Sequence, residues 1–270
     1  MPDSFYKKLN IMYSTIEYLI KDRVAYITLN RPEKRNAFSP ELVSELREAF
    51  GIAELDPGVR VIVLKANGKA FSAGADLGYL QSLQENSYEE NLEDSEHLMG
   101  LYRQIYILEK PVIAQIEGHA IAGGCGLATV CDISVATPES MFGYTEVKIG
   151  FVPAIVMVFL LRKIGERNAK ELLLTGKLIP AEKAVEFGLI NFVVNGENIE
   201  DAINEISQGL VRETSGNSLK VTKQMIGRVQ DMSLDEALNY AAEMNAQTRA
   251  TKDCMHGIDS FLNKQKPKWS

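Results

Sequence analysis

The fold is decided by one stretch of sequence, Pro111-Val-Ile-Ala-Gln-Ile-Glu-Gly-His-Ala-Ile-Ala-Gly-Gly-Cys-Gly126. Its apolar first part, residues 112–116, predicts a buried strand, and a tight turn at residues 117–119 follows. The small residues after the turn lead into a helix that begins inside the glycines and continues toward Asp132. A strand, a glycine-rich turn and a helix N-terminus together place bare backbone N–H groups where a ligand can reach them.

A second turn of similar composition follows another apolar segment. Residues 59–65 are almost continuously apolar, which is typical of a strand in a sheet that is covered on both faces. The turn itself is Phe71-Ser-Ala-Gly-Ala-Asp76, and a helix is predicted after it. If the two turns converge, each offers one N–H group to the same oxygen, and together they form an oxyanion hole. On its own, each turn also fits a close-packed strand–helix junction, and neither has the spacing of a dinucleotide or phosphate loop.

The rest of the chain up to about residue 195 alternates strands with helices. Ser39 and Pro40 form a helix start, with a capping side chain and a proline at the first helical position. The other predicted elements are a hairpin over 14–20 and 24–29, helices over 41–55, 96–108, 154–164, 167–174 and 181–187, strands over 133–136 and 190–194, and a solvated loop over the polar residues 81–95. From residue 199 onward the pattern is helical. We therefore predict a mixed α/β fold with largely parallel strands, followed by a helical tail.

Composition and charge argue against several classes of protein. The chain has 270 residues and a net charge of −7, so neither a nucleic acid nor an anionic membrane is expected as a partner. Cys125, Cys131 and Cys254 are an odd number without zinc-site spacing, which favours a reducing compartment and no metal. No apolar run is long enough to span a membrane, and residues 1–8 lack the core of a secretory signal. A cytoplasmic location is the expectation.

These motifs resemble the crotonase superfamily, the enoyl-CoA hydratases and isomerases. The matching segments are Phe71–Leu77, Lys110–Leu127, Cys131-Asp132, Phe142-Gly143 with Glu146, Leu174-Thr-Gly176, Ala184 with Gly188-Leu189, and Phe261-Leu-Asn-Lys264. The resemblance implies a spiral of repeated ββα units over 1–198, which carries the CoA site and the active site. It implies an all-helical region over 199–270 that builds a homotrimer or a dimer of trimers. Acyl-CoA thioesters are the implied substrates, and because coenzyme A is part of the substrate, no separate cofactor is expected.

The resemblance also assigns roles to individual residues. It implies that the N–H groups of Ala75 and Gly123 hold the thioester oxygen, and that Glu146 is the general acid/base. Partly apolar surroundings would raise the pKa of the Glu146 carboxyl toward the working pH. The implied substrate and CoA contacts are Arg35, Ala37, Lys69, Ala73, Ala75, Asp76, Leu77, Gly78, Gly123, Phe261 and Lys264. Among them, the charged side chains also fit solvated surface positions, and Gly78 stands where many hydratases carry lysine.

At one position the chain departs from the typical hydratases of this superfamily. Those enzymes bracket the reacting water with two glutamates, and this chain has Glu146 at the second position but Gly126 at the first. One glutamate suits isomerisation, in which a proton moves between C2 and C4 of an enoyl chain. Hydration needs Glu146 to act on both the water and the proton, or another polar group to replace the missing one. The candidate replacements are Tyr144, Glu93, Glu96 and His97.

A finer resemblance favours hydration. The segment Glu146-Val-Lys-Ile-Gly-Phe-Val-Pro-Ala-Ile155, with Gly126, is similar to bacterial methylglutaconyl-CoA hydratases of leucine breakdown, which also lack the first glutamate. We therefore expect an enoyl-CoA hydratase, with methylglutaconyl-CoA as a candidate substrate and Lys148 or Arg162 as a candidate partner of its second carboxylate. The alternatives are a Δ3-Δ2-enoyl-CoA isomerase that uses Glu146 alone, and a non-catalytic acyl-CoA-binding or scaffold member of the family.

Overall fold

The computed structural model describes residues 12–269, which form ten strands in two sheets and ten α-helices. The strands are β1 (Ile16–Lys21), β2 (Val24–Leu29), β3 (Val61–Ala66), β4 (Ala70–Ser72), β5 (Val112–Ile116), β6 (His119–Ile121), β7 (Ile133–Ala136), β8 (Met141–Gly143), β9 (Ile179–Pro180) and β10 (Phe192–Val193). The helices are α1 (Pro40–Leu55), α2 (Leu77–Ser82), α3 (Tyr88–Ile107), α4 (Gly123–Val130), α5 (Ala154–Thr175), α6 (Ala181–Glu186), α7 (Gly196–Glu213), α8 (Gly216–Val229), α9 (Leu234–Arg249) and α10 (Lys252–Leu262). The segment tested for a secretory signal lies outside the described residues.

The larger sheet has six strands in the order β1-β2-β3-β5-β7-β10. The first two strands form an antiparallel hairpin, which confirms that prediction, and the remaining neighbours are parallel. The hairpin turns at Asp22 and Arg23, which adopt φ angles of 50° and 66° as two-residue hairpin loops of this hand require. The central strands are almost fully buried, because helices cover both faces of the sheet.

The smaller sheet contains four short strands in the order β4-β6-β8-β9. Each of β4, β6 and β8 follows a long strand of the larger sheet after a tight connection, and a helix follows each of them. This repeat of long strand, short strand and helix is the ββα spiral that the resemblance implies. The sequence pattern did not separate β4 and β6 from the turns around them, because each is three residues long.

The loop predicted over residues 81–95 is wrong. The last turn of α2 and a short 3-10 helix occupy residues 81–85, and α3 begins at Tyr88 rather than at residue 96. A capping box begins α3, in which Ser87 accepts a hydrogen bond from the N–H of Glu90 and the Glu90 carboxylate accepts one from the N–H of Ser87. The first turns of α3 are polar because they are exposed, and a solvated helix face has the composition of a loop.

The C-terminal part is helical, as predicted. Helix α7 packs on the larger sheet through Ile199, Ile203 and Val211, and the expected division between residues 198 and 199 lies in its first turn. Helices α9 and α10 carry large apolar side chains that are more than half exposed, namely Leu234, Leu238, Met255, Ile258, Phe261 and Leu262. None of the helices within residues 12–269 combines the length and the apolarity needed to cross a membrane.

Candidate active site

The two small-residue turns meet at the start of α4. A Cβ atom added to Gly74 would lie 2.8 Å from the Cβ atom of Ala122 and 3.5 Å from the nitrogen of Gly123. Gly74 also has a φ angle of +86°, a conformation that residues with side chains rarely adopt. The turn after β4 and the turn after β6 are therefore in contact, and the contact needs a glycine at position 74.

Backbone hydrogen bonds orient Ala75 within this contact. Phe38 forms an isolated parallel bridge to Ala75: the Phe38 N–H donates to the Gly74 carbonyl at 2.6 Å, and the Asp76 N–H donates to the Phe38 carbonyl at 2.9 Å. Because alternate backbone groups of an extended chain point to opposite sides, the N–H of Ala75 points away from Phe38. Gly123 is the first residue of α4, where N–H groups lack intrahelical partners and the helix dipole is positive.

Among the predicted site residues, Glu146 has the side chain suited to general acid/base catalysis. It begins the short 3-10 helix Glu146–Ile149 directly after β8 and is partly buried. Its Oε2 atom is buried and lacks a hydrogen-bond partner among the described residues. Burial raises the pKa of this carboxyl above its ordinary value, and a hydrogen bond from its own N–H opposes the shift only in part. Burial raises the pKa values of the Tyr102 hydroxyl and of the Cys125 thiol on α4, and the negative charge of Glu146 raises both further.

Position 126 has no room for a side chain. A Cβ atom added to Gly126 would come closer than 3.0 Å to Cγ1 of Val156, and it would lie 3.2 Å from two ring atoms of Tyr102. Both of these side chains are buried. A glutamate at this position would require Val156 on α5 or Tyr102 on α3 to move. Sequence analysis missed both residues, since neither belongs to a recognisable motif.

The candidate replacements for the first glutamate differ in their surroundings. Tyr144 is fully buried, and its hydroxyl hydrogen-bonds the Thr129 hydroxyl at 2.6 Å. His97 instead bridges α3 to α1: its Nδ1 atom lies 2.8 Å from Nη1 of Arg47 and its Nε2 atom 3.0 Å from the Ser44 hydroxyl. It lines a groove of about 830 Å³ between those two helices, and the groove's lining residues do not include Glu146. Glu93 and Glu96 are exposed on α3.

The loop before α1 is tied to the turn that carries Ala75. The amide of Asn36, which is fully buried, donates to the carbonyls of Asn67 and Ala70 at 2.9 and 2.8 Å. The carbonyl of Arg35 accepts from the N–H of Ala73 at 3.0 Å. The predicted CoA residues Arg35, Ala37, Lys69 and Ala73 are thus brought onto adjoining segments, namely the loop before α1 and the two ends of β4, where both charged side chains are exposed. Asn36 was not identified from sequence.

Asp76 caps the N-terminus of α2. Its carboxylate accepts hydrogen bonds from the N–H groups of Gly78 and Tyr79 and pairs with Arg31 at 3.4 Å. Burial alone would raise the pKa of the Asp76 carboxyl. The hydrogen bonds from Tyr79 and Gly78, together with the charges of Lys34 and Arg31, outweigh it and leave the pKa below its ordinary value. Leu77 and Gly78 are exposed beside it.

Phe261 and Lys264 are exposed at the end of the helical tail. Phe261 is in the last turn of α10, with 81% of its surface exposed, and Lys264 follows the helix with a φ angle of 54°. Helix α10 packs against α9, and Asp253 in its first turn accepts a hydrogen bond from the Ser215 hydroxyl. The described residues also contain no group of three or more His, Cys, Asp or Glu side chains arranged to hold a metal ion.

A ββα spiral with a helical C-terminal region defines the crotonase class of folds, and comparison with known proteins agrees. The enoyl-CoA hydratase/isomerase family matches residues 20–270. A Thermus thermophilus relative named as an enoyl-CoA hydratase is 44% identical over 253 residues, covering 92% of this chain and 98% of the relative. The crotonyl-CoA hydratase of Syntrophomonas wolfei is 31% identical over 256 residues, covering 94% and 97%.

Solved structures give the same result. The enoyl-CoA hydratase of Mycobacterium smegmatis superimposes with a TM-score of 0.90 at 32% identity, covering 95% of this chain and 99% of that one. An enoyl-CoA hydratase of Shewanella pealeana superimposes with a TM-score of 0.91 at 28% identity, covering 95% and 96%. The chain belongs to the enoyl-CoA hydratase/isomerase family and is an enzyme of the crotonase superfamily.

Proposed function

We propose that this protein is an enoyl-CoA hydratase that adds water across the C2–C3 double bond of a 2-enoyl-CoA thioester. The observation that carries the proposal is the partly buried carboxyl of Glu146 on the chain segment that follows β8. Its Oε2 atom has no hydrogen-bond partner within residues 12–269. The short strand β8 pairs with β6, which leads into the turn of Gly123. The hydratase names of the relatives support the same reaction.

In the proposed reaction the protein stabilises charge that forms on the thioester oxygen. The N–H groups of Ala75 and Gly123 donate to that oxygen, and removal of one such donor typically costs about 3–4 kcal/mol of transition-state stabilisation. Glu146 takes a proton from water while the water oxygen bonds to C3, which leaves an enolate-like thioester. The protonated Glu146 then delivers its proton to C2. One carboxyl therefore serves as base and acid in turn, and needs the raised pKa that burial gives it.

A Δ3-Δ2-enoyl-CoA isomerase is the second candidate, because position 126 excludes a second carboxylate. In that reaction Glu146 removes a proton from C2 of a 3-enoyl-CoA and returns it to C4, and the same enolate-like intermediate forms. The two reactions differ in whether water enters the product, and therefore in the substrate that reacts.

We propose that the substrate's CoA part lies along the loops that Asn36 joins. Arg35 and Lys69 provide exposed cations for its phosphates, and the backbone around Ala37, Ala73, Asp76, Leu77 and Gly78 lines the path to the thioester. Phe261 and Lys264 are exposed at the end of the helical tail, and we assign them to the CoA of a neighbouring subunit in a homotrimer or a dimer of trimers. The exposed apolar side chains of α9 and α10 support such an assembly.

Methylglutaconyl-CoA is the proposed specific substrate, and its second carboxylate needs a cationic partner. Lys148 lies two residues after Glu146 on the same short helix, and its side chain is exposed. Arg162 is less suitable, because its guanidinium already pairs with Asp231 at 2.7 Å. We therefore assign the second carboxylate to Lys148.

The test is to give the purified protein crotonyl-CoA, 3-methylglutaconyl-CoA and a 3-enoyl-CoA in separate assays. Loss of the conjugated enoyl-thioester absorbance indicates hydration, and its appearance from the 3-enoyl-CoA indicates isomerisation. Absence of both reactions would leave the non-catalytic acyl-CoA-binding function. Light scattering after size-exclusion chromatography tests the oligomer, since a monomer would contradict the assignment of Phe261 and Lys264.

A further inference from the structure

We propose that Tyr102 is a positioning residue: its hydroxyl holds the carbonyl of Gly123 and thereby fixes the N–H that Gly123 offers to the thioester oxygen. The Tyr102 hydroxyl donates to this carbonyl at 2.8 Å. The proposal rests on the proposed oxyanion-hole role of Gly123. It also explains how the site is built around the missing first glutamate, since the same tyrosine ring lies against position 126.

The ring of Tyr102 covers the first turn of α4. A Cβ atom added to Gly123 would lie 3.0 Å from the Tyr102 hydroxyl oxygen, and one added to Gly126 would lie 3.2 Å from the Cε1 and Cζ atoms of the same ring. Tyr102 is fully buried, so its hydroxyl is shielded from bulk water. A buried hydroxyl group donates a hydrogen bond to an acceptor within reach, which here is the Gly123 carbonyl.

The start of α4 needs such an anchor. Its first residues are Gly123 and Gly124, and glycine has more backbone freedom to lose than any other residue. The preceding residue, Ala122, has a φ angle of 51°, which an alanine adopts only when its surroundings enforce it. A hydrogen bond to the Gly123 carbonyl restrains the torsions on both sides of its α-carbon. It therefore restrains the direction of the adjoining N–H.

Tyr102 is itself held between aromatic rings that reach the other half of the site. Its ring centroid lies 6.4 Å from that of Phe38 and 6.3 Å from that of Phe159. Phe38 is the residue whose backbone bridges Ala75. Tyr102, which holds the Gly123 carbonyl, and Phe38, whose backbone bridges Ala75, are thus packed against each other. This packed pair sets the relative placement of the two proposed N–H donors.

The hydroxyl of Tyr102 stays protonated during turnover. Burial raises its pKa well above the ordinary value of a tyrosine, and the nearby negative charge of Glu146 raises it further. A hydroxyl with so high a pKa does not release its proton at neutral pH. The role of Tyr102 is therefore to orient the backbone, and proton transfer belongs to Glu146.

The test compares Tyr102→Phe with the wild-type enzyme, using crotonyl-CoA hydration. We expect kcat to fall by about threefold to tenfold, the effect of one neutral hydrogen bond, with KM changed by less than about twofold. The pH dependence of kcat should keep its shape. Tyr106→Phe is the matched control. Tyr106 lies one turn later on α3, its ring centroid is 5.3 Å from that of Phe159, and its substitution should leave kcat unchanged. An unchanged kcat in Tyr102→Phe, or a shifted pH profile, would overturn the proposal.

A binding measurement separates this proposal from the proposed reaction. The enolate of acetoacetyl-CoA carries negative charge on its thioester oxygen, and the absorbance of the enolate reports how tightly it binds. We expect Tyr102→Phe to bind this enolate at least about threefold more weakly while coenzyme A binding is unchanged. If the wild type hydrates no enoyl-CoA, the proposed reaction is wrong, and enolate binding alone then decides the role of Tyr102. Equal enolate binding by both proteins would refute the role of Tyr102.

A second variant covers the case in which Tyr102→Phe does not fold. Phe38→Leu keeps the hydroxyl but loosens the ring that supports Tyr102. We expect it to weaken enolate binding in the same direction without weakening coenzyme A binding. A folded Phe38→Leu protein with wild-type enolate affinity would count against the proposal.

Discussion

Val156 occupies the space that a side chain at position 126 would need: a Cβ atom added to Gly126 would come closer than 3.0 Å to its Cγ1 atom. Real Cβ atoms essentially never show so short a separation. Val156 lies on α5 and Gly126 on α4, so these helices approach each other closely at the point where two-glutamate hydratases carry their first acid. The packing of Val156 therefore accounts for a glycine, rather than a residue with a side chain, at position 126.

We predict that Gly126→Ala destabilises the protein by about 1–3 kcal/mol, the usual cost of an overpacked core. Val156→Ala should be destabilising because it leaves a cavity. The double variant should lose less stability than the two single variants together, because the new methyl group at position 126 enters that cavity. Urea unfolding measures all three. The control is Gly209→Ala in α7, where an added Cβ atom would meet no described heavy atom within 4 Å apart from its chain neighbours and the helix's own backbone. This substitution should be stabilising by about 0.5–1 kcal/mol. Additive costs at positions 126 and 156 would contradict the proposed contact.

We predict that Lys163→Met destabilises the protein by about 1.5–3 kcal/mol, because it removes the charged cap from the end of α4. The Lys163 ammonium donates to the carbonyls of Thr129 and Cys131 at 3.0 and 2.8 Å, and burial lowers its pKa. Lys170→Met, beyond the break in α5 at Gly165, removes only a surface pair with Glu166, so it should change stability by less than about 1 kcal/mol. Thermal and urea unfolding compare the two variants, and equal effects would show that the cap adds little.

The sequence was sufficient to predict the long strands and helices, and insufficient where elements are short or solvated. Helix α1 was predicted because its cap, its proline and its apolar face all agree. The three-residue strands β4 and β6 have too few residues for a periodic pattern. The start of α3 could have been found from the capping-box spacing of Ser87 and Glu90, which the acidic composition obscured.

The candidate site was predictable only as far as local motifs extend. The two turns were recognisable from their small residues, but their contact through Gly74 and Ala122 depends on the register of the parallel strands. Tyr102 could not be found in this way. It lies 21 residues before the carbonyl that it holds, on α3, a helix that belongs to no recognisable motif. The roles assigned to Ala75, Gly123 and Glu146 stay predictions.

We predict that Glu146→Gln lowers kcat by about 10²- to 10⁴-fold, the usual contribution of a general acid/base, while coenzyme A binding stays intact. The amide keeps the shape of the carboxyl but cannot accept and return a proton. Stopped-flow absorbance with crotonyl-CoA measures turnover, and calorimetry measures coenzyme A affinity. Glu139→Gln, an exposed carboxylate in the turn before β8, is the control and should retain activity. Retained turnover in Glu146→Gln would remove Glu146 from the mechanism.

The same substitution gives a pH-dependent prediction about stability. Burial raises the pKa of Glu146 in the folded protein above its ordinary value of 4.5, so the folded state binds this proton more tightly than the unfolded chain. The stabilisation that this proton confers is full below pH 4.5 and is lost as the pH rises through the folded-state pKa. Glu146→Gln removes the titration. We therefore expect the variant to unfold at a higher temperature than the wild type at about pH 7, and at a similar temperature at about pH 4. A difference of the same size at both pH values would show that burial of the carboxylate does not cause it.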